Sequence, residues 1–206
     1  MEPPKTRIQQ KNINLILDTA MDVIAEFGFH GITIDKVAQL SGISRTNIHY
    51  YYASRNDLIM ATILKVNENW YDAFLEVDPE GEPAEELMKY VRAKLTSSWK
   101  HPKFSRVYLA EVLAGAPLTR KYVKTEMRQN FLNACKLVQK WIDEGHIIKV
   151  DPAHIFFMIW AMTQYYADHE VPVKLLLGKN KLDEDDYQAA LKTISAMIVN
   201  GLMVKK

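Results

Sequence analysis

Apolar residues recur at intervals of three and four along most of this chain, the spacing that places them on one face of an α-helix. The first such repeat begins at about residue 12 and continues from Ile13 to Phe27, after which Gly28 is expected to end the helix. No alternation of period two extends over more than a few residues. The pattern therefore predicts an all-α protein of about nine helices.

Capping residues and breakers divide the pattern into elements. Residues 1–11 are polar and contain two prolines, which predicts a loose arm. Thr33 and Ser44 are suited to cap short helices at 34–40 and 45–51, and Ser54 with Asp57 has capping-box spacing at the start of a long helix at 55–76. Further helices are predicted at 84–99, 103–114, 118–144, 152–169 and 184–203, with breaks that include the segment around 172–181.

This order predicts a small N-terminal head at 1–57 and a larger helical body at 58–206. Two short helices joined by Ser41–Ser44, with Gly42 where the turn needs positive φ, form a helix-turn-helix in the head. Val37, Leu40, Ile43 and Ile48 are the predicted core of that motif. The second helix would expose hydrogen-bonding side chains to a DNA major groove: Arg45, Thr46, Asn47, His49 and Tyr50.

The charge gives this interpretation little support. The chain has 206 residues and a net charge of +1, with 26 Lys and Arg against 25 Asp and Glu, whereas nucleic-acid binders are often more basic. The first 60 residues hold six basic and six acidic side chains. The placement of these charges must therefore matter more than their total. Two helices joined by a glycine turn also occur in ordinary helical bundles, so the pattern alone is only moderately specific for DNA binding.

A wider segment is more specific. Residues 27–33, 37–38, 42–45 and 48–55 resemble, in order and spacing, the head of the TetR family of bacterial regulators. The resemblance implies that Ser44 caps the recognition helix, and that Tyr52 occupies a position where the family usually has Phe. It further implies phosphate contacts by Thr33, Tyr50 and Arg55, and base contacts by Thr46, Asn47 and His49 with Arg45 nearby.

The body resembles the same family, and the resemblance implies a homodimer formed by the helices near 152–169 and 184–203. The first of these is apolar nearly all round, and a helix without a polar side must be covered on every side. A dimer would present two heads to half-sites of double-stranded operator DNA roughly 34–36 Å apart or somewhat more. The alternative is that both helices belong to the core of a monomer.

Residues 111–117 and 158–168 resemble the pyrimidine-utilisation regulators within that family. Trp160 and Gln164 lie one helical turn apart, and Trp70 lies on the long helix that begins in the head. An indole offers a flat wall, and a glutamine amide offers a donor beside an acceptor, as a cyclic imide such as uracil or thymine requires. Further candidates for the site are Tyr108, Glu111 and Thr163.

Other interpretations of these residues remain open. Clustered aromatic residues on buried helices usually form core, the effector could be a drug-like cation or an acyl compound, and a regulator could act without any effector. The hypothesis is a repressor whose small-molecule effector shifts the helix at 55–76, changes the spacing of the two heads and so lowers operator affinity.

Other classes of protein receive no support. The chain lacks a nucleophile elbow, a Walker loop, a dinucleotide-binding fingerprint and a His-Glu-x-x-His pair, so we expect neither an enzyme nor a bound cofactor or metal. Cys135 is the only cysteine, which fits a reducing compartment. No signal peptide is visible and the apolar run at 155–161 is too short to cross a bilayer, so a cytoplasmic protein without membrane attachment is expected.

Overall fold

The computed structural model describes residues 6–75 and 77–204, although for residues 66–75 it describes the helical backbone without the side chains. Within these ranges the chain is helical, as predicted. The helices are α1 (Arg7–Gly31), α2 (Ile34–Ser41), α3 (Arg45–Tyr51), α4 (Arg55–Leu75), α5 (Pro83–Lys100), α6 (Pro102–Leu113), α7 (Arg120–Tyr122), α8 (Arg128–Asp143), α9 (Pro152–Asp168), α10 (Glu170–Leu176) and α11 (Glu184–Leu202).

The first helix begins earlier than the sequence suggests. Thr6 forms a capping box with Gln9, so that α1 includes residues assigned above to a loose arm, and the prediction of an arm was wrong from residue 7 onward. Gly28 has φ 66° and ψ −177° and breaks the helix, as expected, but a further turn continues to Gly31. The glycine therefore produces a kink rather than an end.

Two other segments differ from prediction. The helix expected at 118–144 is divided by a π-helical turn at Val123–Met127. The segment expected to be a break forms α10, in which Pro172 is the third residue. Proline is tolerated in the first turn of a helix, where its missing N–H would have no partner in any case. These two differences account for eleven α-helical segments in the described ranges instead of about nine.

The chain forms two compact units, Met1–Glu68 with Arg106–Arg120, and Asn69–Ser105 with Lys121–Lys206. The core of the first unit includes Ile16, Val37, Ile48 and Leu58, none of which exposes any surface. Three of the four predicted core residues of the helix-turn-helix are buried, but Leu40 is 59% exposed, and its assignment to that core was wrong. Leu40 lies in the last turn of α2, near the turn at Gly42.

The core of the second unit is formed by α5, α8, α9 and α11. Its largest fully buried side chains include Tyr90, Leu95 and Ile159, and around them pack Trp141, Phe156, Leu191 and Ile194. Helices α5 and α9 make the most extensive contact in this unit. No helix in the described ranges is long and apolar enough to cross a membrane.

Gly42 provides a test of the helix-turn-helix geometry, because it holds φ 70° and ψ 8° as the C-cap of α2. We expect Gly42→Ala to lower the free energy of unfolding by about 1–2 kcal/mol, because a Cβ is strained in the left-handed region. Gly42→Asn should cost less, because asparagine adopts this conformation more readily. Chemical denaturation of the two variants checks the prediction, and equal decreases in stability would contradict it.

Candidate functional sites

The second helix of the helix-turn-helix presents its polar side to solvent. Arg45, Thr46, His49 and Tyr50 are exposed and Asn47 is half-buried, while Ile48 anchors the opposite side of α3 in the core. The structure therefore brings together on one exposed surface all five side chains that the sequence assigned to the major groove.

Thr33, a predicted phosphate contact, and Ser44, the predicted cap of the recognition helix, are the N-caps of their helices. The Thr33 hydroxyl accepts from the Lys36 N–H at 3.1 Å, and the Ser44 hydroxyl accepts from the Asn47 N–H at 3.2 Å. Each cap uses a lone pair of its hydroxyl and leaves the O–H to donate. Capping and a hydrogen bond to phosphate are thus compatible at both positions.

An ion pair links the two helices of the motif. Arg45 Nη1 lies 3.2 Å from Asp35 Oδ1, and both side chains are largely exposed. An exposed pair of this kind contributes about 0–1 kcal/mol to stability. Arg45 can therefore exchange Asp35 for another anion at little cost.

Arg55 is held by the main chain at the end of α1. Its Nε donates to the Ile32 carbonyl at 2.8 Å, and its Nη2 donates to the Phe29 carbonyl. These carbonyls follow the kink at Gly28, where the helix leaves main-chain acceptors without helical partners. Arg55 thus ties the start of α4 to the end of α1, a structural role that the sequence did not suggest.

Three of the predicted effector residues lie on α9. Trp160 Nε1 donates to Tyr90 Oη at 2.7 Å, which fixes the indole against α5. The buried Thr163 hydroxyl donates to the Ile159 carbonyl of its own helix at 2.7 Å. Gln164, one turn beyond Trp160, is half-buried and forms no hydrogen bond through its side chain within the described part of the chain.

The other candidates are Glu111, Tyr108 and Trp70. Glu111 is buried, and its Oε1 accepts from the Leu118 N–H at 2.7 Å and the Thr119 N–H at 2.9 Å, so it holds the loop after α6. Glu111 and Tyr108 belong to the first compact unit, whereas Trp160, Thr163 and Gln164 belong to the second. The side chain of Trp70 lies outside the described residues.

Two buried polar residues of α5, Lys94 and Ser98, were not among the predicted site residues. Lys94 is 5% exposed, and burial lowers the pKa of its ammonium group to about 8. Ser98 is 1% exposed, and its Oγ has no hydrogen-bond partner among the described residues. The sequence contained a signal for the burial of both residues. They follow Tyr90 at intervals of four and so lie on the helix face that also includes the buried Leu87 and Leu95.

The comparisons with known proteins agree with this architecture. Residues 16–62 match the family described as bacterial regulatory proteins, tetR family, and residues 63–205 match the C-terminal region of YcdC-like protein. The HTH-type transcriptional regulator RutR of Escherichia coli strain K12 is 32% identical over 187 residues, covering 91% of this chain and 88% of the relative. The HTH-type transcriptional regulator BetI of Klebsiella pneumoniae strain 342 is 30% identical over 91 residues, or 43% of this chain and 47% of the relative.

Solved structures share the fold at lower identity. A TetR family transcription regulator from Marinobacter aquaeolei VT8 superposes with a TM-score of 0.72 at 17% identity, covering 97% of this chain and 100% of that chain. The ketosteroid transcriptional regulator KstR2 of Mycobacterium tuberculosis gives 0.68 at 17% identity and covers 98% of each chain. The protein belongs to the TetR family of transcriptional regulators, whose members bind operator DNA and dimerise.

Arg55 allows its structural and DNA-binding roles to be separated. We expect Arg55→Lys to lower the free energy of unfolding by about 1–2 kcal/mol, because a lysine cannot reach both carbonyls with the same fork of donors. The charge remains, so the dependence of operator affinity on salt should stay unchanged. Arg55→Gln should reduce the slope of log K against log salt concentration by about 0.9 for each phosphate that the arginine neutralises.

Thermal unfolding and DNA binding at several salt concentrations provide the measurements, with the exposed Arg92→Gln on α5 as the control. An unchanged slope in Arg55→Gln would show that Arg55 does not neutralise a phosphate and acts only by joining α4 to α1.

Proposed function

We propose that this regulator is a pyrimidine-responsive repressor, which binds operator DNA as a homodimer and releases it when uracil or thymine occupies its helical body. The observation that carries the proposal is the half-buried Gln164 amide, which forms no hydrogen bond in the described part of the chain and lies one turn from a fixed indole. An amide without a hydrogen-bond partner can offer a donor and an acceptor to a ligand at little cost to the fold.

The geometry around Trp160 supports a flat ligand. Because its Nε1 already donates to Tyr90, the indole can provide an apolar wall without a donor left to satisfy. The rings of Phe131 and Phe157 lie 5.9 Å and 5.7 Å from the Trp160 ring and limit its movement. A few polar groups within aromatic walls are the usual composition of a small-molecule site.

For the DNA interface, we infer that α3 enters the major groove with Thr46, Asn47 and His49 toward the bases and Arg45 nearby. The phosphate contacts would come from Thr33, Tyr50 and Arg55, and Ser44 would cap the recognition helix. Tyr50 supports this arrangement, because its side chain is 71% exposed and a phenol so placed is available to phosphate oxygens.

For the dimer, we infer that α9 and α11 of two copies pack together. A groove of about 460 Å³ lies along these helices and is lined mainly by apolar side chains, including Met158, Met162, Met197 and Ile198. Met158 and Met197 are 59% and 62% exposed in the single chain. A second copy of the same surface would cover them, and unbranched methionines adapt readily to such a contact.

In this mechanism, effector and operator DNA each favour a different conformation of the dimer, so that binding of one weakens binding of the other. Ligand in the body shifts α4, whose first residue is Arg55, and thereby changes the separation of the two heads. Coupling of this kind is typically about 1–3 kcal/mol and is reciprocal, so operator DNA must weaken effector binding by the same factor.

Calorimetric titration with uracil and thymine tests the effector. We expect binding with a Kd on the order of micromolar, and Gln164→Ala should weaken it by about 10- to 100-fold, because an unpaired polar group of the ligand would be buried. The exposed Gln129→Ala on α8 serves as the matched control. DNA selected from a random pool by the purified protein should be released on addition of uracil.

Absence of heat together with absence of thermal stabilisation by either ligand would remove the pyrimidine claim. The DNA-binding function of the family would be unaffected by that result. The regulator would then respond to a different effector or to none. Release of DNA by an acyl compound or an organic cation would favour the first of these alternatives.

Oligomeric state tests the dimer surface. We expect Met158→Glu with Met197→Glu to yield a folded protein with the mass of one 23.8 kDa chain rather than two, because carboxylates would be buried without partners at the contact. Light scattering after size exclusion measures the mass. Leu113→Glu, which changes an exposed apolar residue of the first unit, should remain dimeric, and a dimeric double variant would place the interface elsewhere.

A further inference from the structure

Helix α5 carries three polar side chains on one buried face. Tyr90, Lys94 and Ser98 follow one another at intervals of four residues, so they lie one above the other along the helix. All three are at most 5% exposed. Lysine side chains are seldom buried to this extent.

The register between α5 and α9 places this face beside the proposed effector site. Tyr90 bonds to Trp160 and its ring lies 5.8 Å from that of Phe156, while the Trp99 and Tyr166 rings lie 5.6 Å apart. Residue numbers thus rise together along the two helices, which run in the same direction. Lys94 is one turn beyond Tyr90, as Gln164 is one turn beyond Trp160.

A second observation at the same face points to a ligand. The Ser98 hydroxyl, one turn beyond Lys94, is buried and has no hydrogen-bond partner in the described residues. Buried polar groups in proteins are almost always hydrogen-bonded, so each exception calls for an explanation. A polar ligand between α5 and α9 would supply the missing partner to Ser98 and to Gln164 together.

We propose that Lys94 is an effector-binding residue, whose ammonium group donates to a ring carbonyl oxygen and selects cyclic imides with two carbonyl groups over rings that carry an amino group. The assignment rests on the proposed function, since it names the group that decides which pyrimidine that site accepts. Lys94 thus complements Gln164, which recognises the neighbouring N–H and carbonyl.

The chemistry of the two side chains fits this division. A uracil ring presents an imide N–H between two carbonyl groups, so the Gln164 amide can pair with the N–H and one carbonyl while the second carbonyl accepts from Lys94. Lysine has donors only. Cytosine has an amino group in place of one of these carbonyl groups. The amino N–H donors would face the N–H donors of the Lys94 ammonium group, and no hydrogen bond could form between them. Sites that bury such polar groups reject mismatched ligands strongly.

The charge state supports the assignment. Burial lowers the pKa of Lys94 to about 8, which leaves the group mostly protonated at pH 7. Its donors are therefore present under ordinary conditions, in a setting of low polarity where a hydrogen bond to a carbonyl oxygen is strong.

The test compares uracil and cytosine binding to the full-length protein and to Lys94→Met. We expect the wild type to prefer uracil, and Lys94→Met to bind uracil about 10- to 100-fold more weakly with little change for cytosine, as for a hydrogen bond to a charged group. The exposed Lys100→Met on the same helix is the matched control. Ser98→Ala should weaken uracil binding less than Lys94→Met does.

Each outcome has a separate meaning. Operator binding without effector shows that Lys94→Met is folded, and Lys94→Gln replaces it in the same comparison if it is not. An unchanged preference for uracil in the folded variant overturns the role of Lys94 and leaves the pyrimidine effector intact. A wild type that binds neither uracil nor thymine overturns the effector proposal, and this assignment with it.

Discussion

The hydrogen bond from the Trp160 indole to the Tyr90 hydroxyl joins the two helices around which the second unit is built. It lies within the contact of α5 with α9, beside the Phe156 ring. The bond fixes how far one helix is advanced along the other, and that register decides which side chains of each helix meet. Leu95 and Ile159 belong to the same core, and Lys94 and Gln164 each lie one turn beyond a partner of this bond.

Helices α5 and α9 bury polar side chains as well as apolar ones. Two fully apolar helix faces would pack more stably than faces containing an unpaired hydroxyl and amide, because burying such groups costs free energy unless they are hydrogen-bonded. Thr163, on the same helix as Gln164, meets this requirement locally by donating to the carbonyl of Ile159. Ser98 and Gln164 form no such bond among the described residues, so the two helices carry groups that a ligand could satisfy.

Features that depend on neighbouring residues in the sequence were predictable. Thr33, Ser44 and the Ser54–Asp57 box cap the expected helices, because capping is a contact between residues two or three apart. Gly42 takes the left-handed conformation for a similarly local reason. The all-α class followed from a period that extends over most of the chain.

Features that depend on tertiary contacts were not predictable in the same way. A lysine on an amphipathic helix is normally exposed, so the burial of Lys94 follows only once α5 is covered by its neighbours. Arg55 has the residue type expected for a phosphate contact, yet its acceptors are carbonyls 23 and 26 residues away. One oxygen of Glu111, a candidate for the effector site, accepts from two N–H groups of the following loop. For each side chain the residue type limits the chemistry, and the fold selects the partner.

Polar side chains that form no hydrogen bond among the described residues, such as Ser98 and Gln164, have a thermodynamic consequence for a regulator. A ligand that satisfies them binds the folded chain and not the unfolded chain, so it stabilises the fold by RT ln(1 + [L]/Kd), about 2.7 kcal/mol at a hundredfold excess over Kd. Part of this free energy is available to shift the helices that hold the ligand, because the ligand favours one arrangement of α5 and α9 over others. A fully apolar contact between these helices would be more stable in the absence of ligand. It would, however, offer no polar group with which an effector could form a hydrogen bond. In the proposed function, the unpaired Ser98 hydroxyl and Gln164 amide would thus contribute to the differential affinity that release of DNA requires.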